Sequence, residues 1–406
     1  MKIKAGVSAT LIANVIFAIS QWVIIASLNY TGRTDVVGQY AFAIALAGLF
    51  LTVGQLGLRP YLLSSVIKKQ EIQHVFHVRI ITSVIAFLLL GIFSYYFLSP
   101  SYFVLIITLG MVKVVENLSD ICHGYYQKSF HIYQIVVARI FRAITSPILF
   151  VILFFYSESI ILASVGLLVS LLLTFYFFDR KALQQQEIQI TSVISIQQFK
   201  NIAVKSFPMG IATVFVILVV NIPLFILKKD ASDNTIGMYA SVFYFVTAGS
   251  LVLQSAMQVI SPILTKNIQD KSLSVVKSLI FKSFIMAAMF GVFGIALASL
   301  FGDFILTLLY GSAFKEMGGL LVIAALINSA LAFQSVSGVA LTSFGSFKYQ
   351  MYCMIFAIPV CYFSSTFLVS LIGINGALYS GAFTSFIIAG LFLVKLLKKL
   401  NEIEKN

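Results

Sequence analysis

Long apolar runs dominate this sequence of 406 residues and limit it to one class of fold. Each run has the length of about 20 residues that a helix needs to cross the hydrocarbon core of a bilayer. Hydrophobic residues make up 60% of the chain and charged residues 10%, whereas a soluble domain carries about 25% charge. We predict an all-α polytopic membrane protein. Its twelve predicted spans cover residues 6–29, 39–67, 78–98, 102–126, 135–156, 160–178, 207–227, 238–264, 279–300, 318–344, 349–371 and 376–396.

The distribution of basic residues predicts the orientation of these spans. The chain holds 27 Lys and Arg residues and has a net charge of +13. Most of the basic residues fall in connections on one side of the membrane, and four lie on the other side, namely Arg33, Lys228, Lys229 and Lys315. Because cytoplasmic connections are enriched in Lys and Arg, we predict that both termini are cytoplasmic. The basic residues form no tract, so nucleic acid is not an expected partner.

A short motif occurs twice, about 200 residues apart. Gly38-Gln-Tyr-Ala41 opens the second predicted span, and Gly237-Met-Tyr-Ala240 opens the eighth. Six spans separate the copies, so both run in the same direction, as in the parallel repeats of transporters. We therefore predict two lobes of six helices with a cavity between them, residues 1–179 and 207–406. A cytoplasmic connector, residues 180–206, would join the lobes and place its amphipathic stretch on the inner membrane surface.

The fourth predicted span carries polar and ionisable residues along one face. At about 100° per residue, one stripe holds Lys113, Glu116, Asn117, Asp120, His123, Gly124 and Gln127. A charge in lipid costs about 2.5–3.5 kcal/mol on insertion scales, so such groups normally face a helix bundle or a wet cavity. Lys113 could neutralise Glu116 one turn away. Two acids against one base still leave an acidic surplus, which favours a wet cavity and makes Lys113, Glu116, Asn117 and Asp120 candidate substrate ligands.

Arginines in or beside the spans are further candidate ligands. Arg59, directly before Pro60, has a planar guanidinium suited to phosphate oxygens, or else it lies at the inner interface as a cap. Arg139 and Arg142 share a face near the inner end of the fifth span, where interfacial basic residues are also common. Of all the cations, only Arg59 and Lys113 are expected well within spans.

Two amides complete the set of candidate ligands. Asn14 lies in the first predicted span, and Asn221 lies in the seventh, two residues before Pro223. A proline inside a helix frees a backbone carbonyl, which could serve a ligand beside Asn221. Amides inside spans also form hydrogen bonds between helices, so both interpretations stay open.

Sequence patterns of enzymes and metal sites are absent. There is no glycine-rich phosphate loop and no Gly-x-Ser-x-Gly turn, and the four histidines lack zinc spacing. The three cysteines, Cys122, Cys353 and Cys361, lie in apolar runs. The predicted outward connections are too short for a catalytic domain. We expect a transporter, not an enzyme, with no cofactor and with protons or sodium ions as candidate coupling ions.

A series of short motifs resembles the bacterial polysaccharide flippases of the Wzx-like branch of the MOP exporter superfamily. The resemblance covers essentially the whole chain and depends on the order of the motifs. They are Gly38-x-Tyr-Ala41, Pro208, Asn221-x-Pro223, Gly237-x-Tyr-Ala240, Pro262, Leu309-Tyr-Gly-Ser-Ala-Phe314 and Gly373-Ile-Asn-Gly-Ala377. The resemblance implies a V-shaped fold that opens alternately to each side of the membrane. Relatives often carry an acid near the position of Asn221, and this departure puts ion coupling at that helix in doubt.

Three functions follow as competing hypotheses. The resemblance implies a flippase that moves oligosaccharide repeat units on undecaprenyl pyrophosphate, for O-antigen or capsule, from the cytoplasmic to the periplasmic leaflet. A polysaccharide polymerase and a chain-length regulator are then candidate partners. A multidrug or cation exporter of the same fold would instead use Glu116 and Asp120 as its important pair. A membrane-embedded polymerase or ligase is the third hypothesis, and the short outward connections argue against it.

Overall fold

The computed structural model describes residues 2–64, 67–188, 194–270 and 272–405, and every long element in these ranges is an α-helix. Apolar segments of this kind form helices because lipid offers the backbone no hydrogen-bond partners. The helices are α1 (Lys2–Tyr30), α2 (Thr34–Gln55), α3 (Leu58–Leu63), α4 (Lys69–Ile72), α5 (Val75–Phe97), α6 (Pro100–Lys128), α7 (Ile132–Ser157), α8 (Ile160–Thr174), α9 (Arg180–Gln185), α10 (Ile196–Asp230), α11 (Asp233–Gln269), α12 (Leu273–Tyr310), α13 (Gly318–Ser343) and α14 (Phe347–Lys405). A π-helical turn over Phe175–Asp179 joins α8 to α9.

The helices agree with the predicted polytopic all-α fold. Within the described ranges, eleven helical segments are long and apolar enough to cross a membrane. The difference from the predicted twelve lies in α14, which contains the last two predicted spans. Ile372 (φ −134°) and Gly373 (φ 56°, ψ −126°) are non-helical inside α14. Because glycine accepts positive φ without steric cost, this break divides α14 into two helices.

The second predicted span is interrupted, although the sequence predicted a continuous helix. Leu56 (φ 47°) and Gly57 (φ 64°) separate α2 from α3 in the left-handed region. A Cβ atom on Gly57 would collide with the backbone of Gly210 in α10, so both φ and the close approach require glycine here. Pro60 lies in the first turn of α3, where proline is tolerated. The break gives Arg59 a short helix of its own.

The predicted connector is largely helical or packed into a core. α10 begins at Ile196, eleven residues before the predicted seventh span, and continues through Pro208 and Pro223. Ile188 and Ile202 are buried in a hydrophobic cluster with Tyr125 and other side chains of α3, α5, α6 and α9. The amphipathic stretch therefore packs onto helices at both of these described positions and does not simply lie on the membrane surface. Residues 189–193 of the stretch lie outside the described residues.

The chain divides into two compact units. The first unit contains Met1–Ile24 and Gln39–Ile217, and the second contains Ile25–Gly38 and Leu218–Asn406. In the first unit, α6 packs against α3, α5, α8 and α9, and α7 packs against α8. In the second unit, α13 packs against α11, α12 and α14. The predicted division into lobes at residues 1–179 and 207–406, with a connector at 180–206, stays a prediction.

The repeated glycine motif forms a reciprocal contact inside the second unit. A Cβ atom on Gly38 would collide with the carbonyl oxygen of Asp233, and one on Gly237 would collide with the carbonyl oxygen of Thr34. Each glycine thus lies against the residue that stands four positions before the other glycine. The first turns of α2 and α11 approach this closely because neither glycine carries a side chain. Nearby, the Asn29 amide donates to Ser241 Oγ at 2.7 Å.

Candidate functional site

The candidate site lies in the first unit, where α6 presents its ionisable face to α3, α5 and α7. Asp120 of α6 accepts hydrogen bonds from Arg59 Nη1 at 2.6 Å and from Arg79 Nη2 at 3.2 Å, one on each carboxylate oxygen. Arg59 also donates to Gln127 Oε1 at 3.1 Å. The Arg79 side chain is 1% exposed, whereas those of Arg59 and Asp120 are 25% and 31% exposed. One carboxylate therefore connects α3, α5 and α6.

Glu116, one turn earlier on α6, also binds two cations. Lys113 Nζ donates to its Oε2 at 2.8 Å, and the Arg142 guanidinium of α7 donates to its Oε1. Arg142 also lies over the ring of Phe17 in α1, 5.2 Å from the centroid, which is a cation–π contact. The predicted pair of Lys113 and Glu116 forms, but Glu116 is shared with a second helix.

Arg139 and Asn14 contact each other, which the sequence did not predict. Arg139 Nη1 of α7 donates to Asn14 Oδ1 of α1. Arg139 also lies within electrostatic reach of Arg59, Arg142 and Asp120. We call Arg59, Arg79, Lys113, Arg139 and Arg142, together with Glu116 and Asp120, the arginine cluster.

The balance of charge in the arginine cluster is opposite to the predicted one. The sequence analysis counted α6 alone and found two acids against one base. In the fold, α3, α5 and α7 add arginines, so that five cations surround Glu116 and Asp120. The expectation of an acidic surplus is therefore wrong, because side chains from neighbouring helices reverse it. A group with excess positive charge suits an anionic ligand.

Arg79 is the cluster residue that the sequence analysis missed. It is the second residue of the third predicted span, residues 78–98, and is not among the candidate ligands named from the sequence. The helix α5 begins at Val75, so Arg79 lies on its second turn and is almost completely buried. The expectation that Arg59 and Lys113 are the only cations within spans is thus wrong. A charged residue so close to an apolar run was the available clue.

Asn117 joins helices through its amide. Its Nδ2 donates to the Leu51 carbonyl of α2 at 2.9 Å and to Ser83 Oγ of α5 at 3.4 Å. Its Oδ1 accepts from Gln55 Nε2 at 2.9 Å, and the side chain is 2% exposed. These contacts hold α6 at the depth where Glu116 and Asp120 meet their cations.

Asn221 lies outside the arginine cluster. It belongs to the second unit, on the second half of α10, whereas the cluster belongs to the first unit. The helix continues past Pro223 to Asp230, so the proline does not end it. A role of Asn221 in substrate binding stays a prediction.

The next turn of α6 carries a different kind of pair. His123 Nε2 lies 3.0 Å from Asp179 Oδ1, and the two side chains are 13% and 0% exposed. Asp179 ends the π-helical turn, a distortion that occurs often at functional sites. The sequence analysis placed His123 on the ionisable stripe but did not identify Asp179 as its partner, because the turn that aims Asp179 has no sequence signature.

An apolar cavity lies within the second unit. Its volume is about 370 Å³, and its walls come from α11, α12 and α13. Asn328 lines it and donates to the Phe245 carbonyl at 3.0 Å. For the metal question, no group of three or more His, Cys, Asp or Glu side chains that could hold an ion occurs among the described residues.

Solved structures with the same fold are transporters of one superfamily. One is an inward-facing multidrug resistance MATE family transporter of the MOP superfamily, with a TM-score of 0.73 and 11% identity over 97% of this chain and 96% of that chain. Another is a MOP superfamily transporter from Pyrococcus furiosus, described by the reverse polarity of its binding pocket. Its TM-score is 0.64, with 12% identity over 99% and 96% of the two chains. The chain is thus a polytopic membrane protein with the MOP superfamily fold and a cationic cluster among its helices.

Sequence comparison identifies the family. The family model described as "Polysaccharide biosynthesis protein" matches residues 3–268. The chain therefore belongs to the polysaccharide biosynthesis protein family. It is also 24% identical over 314 residues to the capsular polysaccharide biosynthesis protein CapF of Staphylococcus aureus. The aligned region covers 77% of this chain and 78% of CapF. These matches confirm the resemblance to polysaccharide biosynthesis proteins that the sequence motifs indicated, and the fold is similar to that of MOP transporters.

Proposed function

We propose that this protein flips oligosaccharide repeat units linked to undecaprenyl pyrophosphate from the cytoplasmic to the periplasmic leaflet. The excess of cations in the arginine cluster is the observation that carries the proposal. A pyrophosphate is the strongly anionic part of such a substrate, and guanidinium groups bind phosphate oxygens through paired hydrogen bonds. Membership of a polysaccharide biosynthesis family and a transporter fold support the same function.

Exposure within the cluster suggests which cations meet the substrate first. Lys113, Arg142 and Arg59 are between 20% and 25% exposed, so solvent reaches them. Arg79 is almost fully buried, so we assign it an indirect role, in which its ion pair with Asp120 keeps that carboxylate in position. The polyprenyl tail would stay in lipid, and the sugar would occupy the wet cavity that the sequence analysis predicts beside the ionisable face of α6. Asn117 is engaged with α2 and α5, so we assign it the role of positioning α6.

The cellular setting of the proposal follows the sequence analysis. We place the chain in the bacterial inner membrane, as the resemblance to bacterial flippases implies, and both termini in the cytoplasm, as the distribution of Lys and Arg predicts. A polysaccharide polymerase and a chain-length regulator are the proposed protein partners, because they would use the unit that this chain delivers. Turnover would proceed by a shift between two alternately open states.

Complementation of a deletion strain tests the proposal. Arg59→Ala, Lys113→Ala and Asp120→Ala are compared with the wild type for surface polysaccharide and for lipid-linked repeat units on the inner leaflet. We expect the deletion, and Arg59→Ala most clearly among the variants, to lose surface polymer and accumulate the lipid-linked unit. Lys399→Ala, which removes a cation from an exposed ion pair with Glu402, is the control and should behave as wild type. Normal polymer in the deletion strain would overturn the proposal.

A binding measurement isolates the role of the anion. The purified full chain is heated with undecaprenyl pyrophosphate or with undecaprenol, which lacks the phosphates. We expect the pyrophosphate alone to raise the melting temperature of the wild type, because a ligand that binds the folded state stabilises it. The shift should be lost in Arg59→Ala. Equal stabilisation by both lipids would show that the tail, and not the arginine cluster, accounts for binding.

A multidrug exporter is the second candidate. The apolar cavity of about 370 Å³ in the second unit favours it, because drug-sized ligands bind mainly apolar pockets of this order. This function predicts increased drug sensitivity on deletion with normal surface polysaccharide. A purified chain that lengthened lipid-linked glycans would instead support the polymerase or ligase hypothesis.

A further inference from the structure

Three carboxylates contact or belong to the ionisable face of α6: Glu116 and Asp120 on the helix itself and Asp179 from the π-helical turn. One of them, Asp179, differs in the kind of side chain that it binds. Glu116 and Asp120 each bind two side chains that stay charged at neutral pH, from Lys and Arg for the first and from Arg alone for the second. Asp179 is fully buried, and its partner is the imidazole of His123 at 3.0 Å. Its partner is therefore an imidazole, which exists with one or two N–H protons, and not an ammonium or guanidinium group.

The second oxygen of Asp179 increases its dependence on this imidazole. Asp179 Oδ2 is buried and has no hydrogen-bond partner among the described residues. A carboxylate placed in this way is costly unless a neighbouring charge or a proton compensates it. The complete burial of Asp179 in this structure suits a state in which the pair carries its proton and is neutral in sum.

The other cations of α6 are bound elsewhere, Lys113 to Glu116 and Lys128 to the Leu62 carbonyl at 2.8 Å. The thiol of Cys122 and the phenol of Tyr126 lie within electrostatic reach of Asp179. Tyr126 donates its hydroxyl to the Phe178 carbonyl at 2.8 Å. Asp120, one turn before His123, is an acid.

The cations of the neighbouring helices α5 and α7 are bound to residues other than His123 and Asp179. Arg79 of α5 is bound to Asp120. In α7, Arg142 donates to Glu116 and Arg139 donates to Asn14. The described part of α8 carries no ionisable side chain. Arg180 and Lys181, which follow Asp179 in the chain, lie over aromatic rings of the π-helical turn at 3.7 and 6.0 Å from the centroids. Among the described residues, the imidazole of His123 is thus the side chain that contacts the carboxylate of Asp179.

We propose that the pair formed by His123 and Asp179 binds the proton that is coupled to transport. The inference rests on the proposed flippase function and adds its coupling ion and the site where that ion binds. When the imidazole holds the proton, an imidazolium and a carboxylate neutralise each other inside the protein. When it releases the proton, Asp179 keeps a negative charge that only a state with water access to the pair would tolerate.

Proton occupancy of this pair would therefore select between conformations. A state that encloses Asp179 is favoured with the proton bound, and a state that opens it to water is favoured after release. His123 stands one turn from Asp120 on the same face of α6, so the same event changes the electrostatic potential at the arginine cluster. Proton binding and substrate binding are thus linked through α6.

Variants that fix the charge of the pair test the proposal in cells. The double variant His123→Gln/Asp179→Asn replaces the pair by two neutral amides of similar size, and its removal of a buried charge favours folding. We expect normal amounts of folded protein but at least a tenfold loss of surface polymer. His123→Lys, which keeps an ion pair but cannot exchange its proton near neutral pH, should fail in the same way. His131→Gln alters an exposed histidine and is the control.

A transport measurement gives the second test. The full chain is reconstituted into liposomes that contain a pH-sensitive dye, and undecaprenyl pyrophosphate is added on one side under an imposed pH gradient. We expect the lipid to start proton movement with the wild type and with His131→Gln, and not with the double variant.

Failure of the coupling proposal differs from failure of the flippase proposal. If deletion of the gene leaves surface polymer unchanged, the proposed function fails. If the chain is needed for polymer but the double variant or His123→Lys supports wild-type export, the coupling proposal fails and the flippase stands. Absence of lipid-dependent proton movement with an export-competent wild type would also overturn the coupling proposal.

Discussion

Arg59 and Arg79 share the carboxylate of Asp120, each through a different oxygen, at 2.6 and 3.2 Å. Their access to solvent is unequal, because Arg79 is almost fully buried and Arg59 is partly exposed. An anionic ligand can therefore compete for Arg59 while Arg79 keeps Asp120 in place. The carboxylate of Asp120 thus holds Arg59 in position, and in the proposed function an anionic substrate would take its place at Arg59.

The first prediction concerns the loss of stability when the carboxylate of Asp120 is removed. Asp120→Asn leaves the buried guanidinium of Arg79 without its counter-charge, and the Nε and Nη1 atoms of Arg79 already lack hydrogen-bond partners among the described residues. Breaking a buried ion pair in this way should lower stability by about 2–3 kcal/mol. Adding Arg79→Met removes the uncompensated charge and should restore most of the loss. Thermal unfolding of the purified chains measures both effects, and a double variant no more stable than Asp120→Asn would contradict this account.

The second prediction concerns Asn117. Replacing it by Asp removes the donor to the Leu51 carbonyl and places a carboxylate against that oxygen. We expect a loss of about 1–3 kcal/mol, the usual effect of leaving buried polar groups unsatisfied. Asn401→Asp makes the same chemical change at an exposed position of α14 and should leave the melting temperature within experimental error. Similar stability of the two variants would show that the amide of Asn117 does not hold α6.

The third prediction compares two glycines of α2. Gly38→Ala would push a Cβ atom into the Asp233 carbonyl, whereas a Cβ atom on Gly48 would meet no atom of the described residues beyond its own stretch of helix within 4 Å. We expect Gly38→Ala to reduce folded protein sharply. Gly48→Ala should be neutral or stabilising, by about 0.5–1 kcal/mol, because alanine favours the helix. Size-exclusion profiles and melting temperatures decide the matter, and equal behaviour of both variants would disprove the close contact.

The fourth prediction separates backbone strain from collision. Gly32 (φ 72°) and Gly57 (φ 64°) both adopt left-handed backbone, but an added Cβ meets nothing at Gly32 and collides with Gly210 at Gly57. Alanine should cost about 1–2 kcal/mol at either site from backbone strain. Gly57→Ala should cost clearly more, because α3 must move away from α10. Equal melting temperatures for the two variants would argue against the contact between the helix break and α10.

The sequence predicted the helical membrane fold because its information is local. A run of about 20 apolar residues specifies a span wherever it occurs, so most spans matched helices. The resemblance to MOP exporters likewise depended on motifs that keep their order along the chain. The break at Leu56 and Gly57 was missed because its cause is distant. Gly210, more than 150 residues later, lies where a side chain of Gly57 would point.

The site was harder to predict than the fold, since its contacts join helices that are far apart in sequence. The stripe on α6 was found from helical periodicity, and the pair of Lys113 and Glu116 followed from their spacing. Arg142 and Arg79 reach the same acids from α7 and α5, and no spacing rule on α6 reveals them. The sign of the charge in the cluster therefore depended on tertiary structure.

The contact between the first turns of α2 and α11 is reciprocal, like the contact between two identical subunits of a symmetric dimer. Gly38 lies against the Asp233 carbonyl and Gly237 lies against the Thr34 carbonyl. In each helix, the contacted carbonyl stands four residues before the glycine. In an isologous interface between identical subunits, residue i contacts j and residue j contacts i, and this crossing keeps that reciprocity. A side chain added at either glycine therefore displaces the helix that carries the other glycine, because each glycine lies against a carbonyl of the opposite helix. The tolerance of either position to substitution is thus set by the backbone of the other helix.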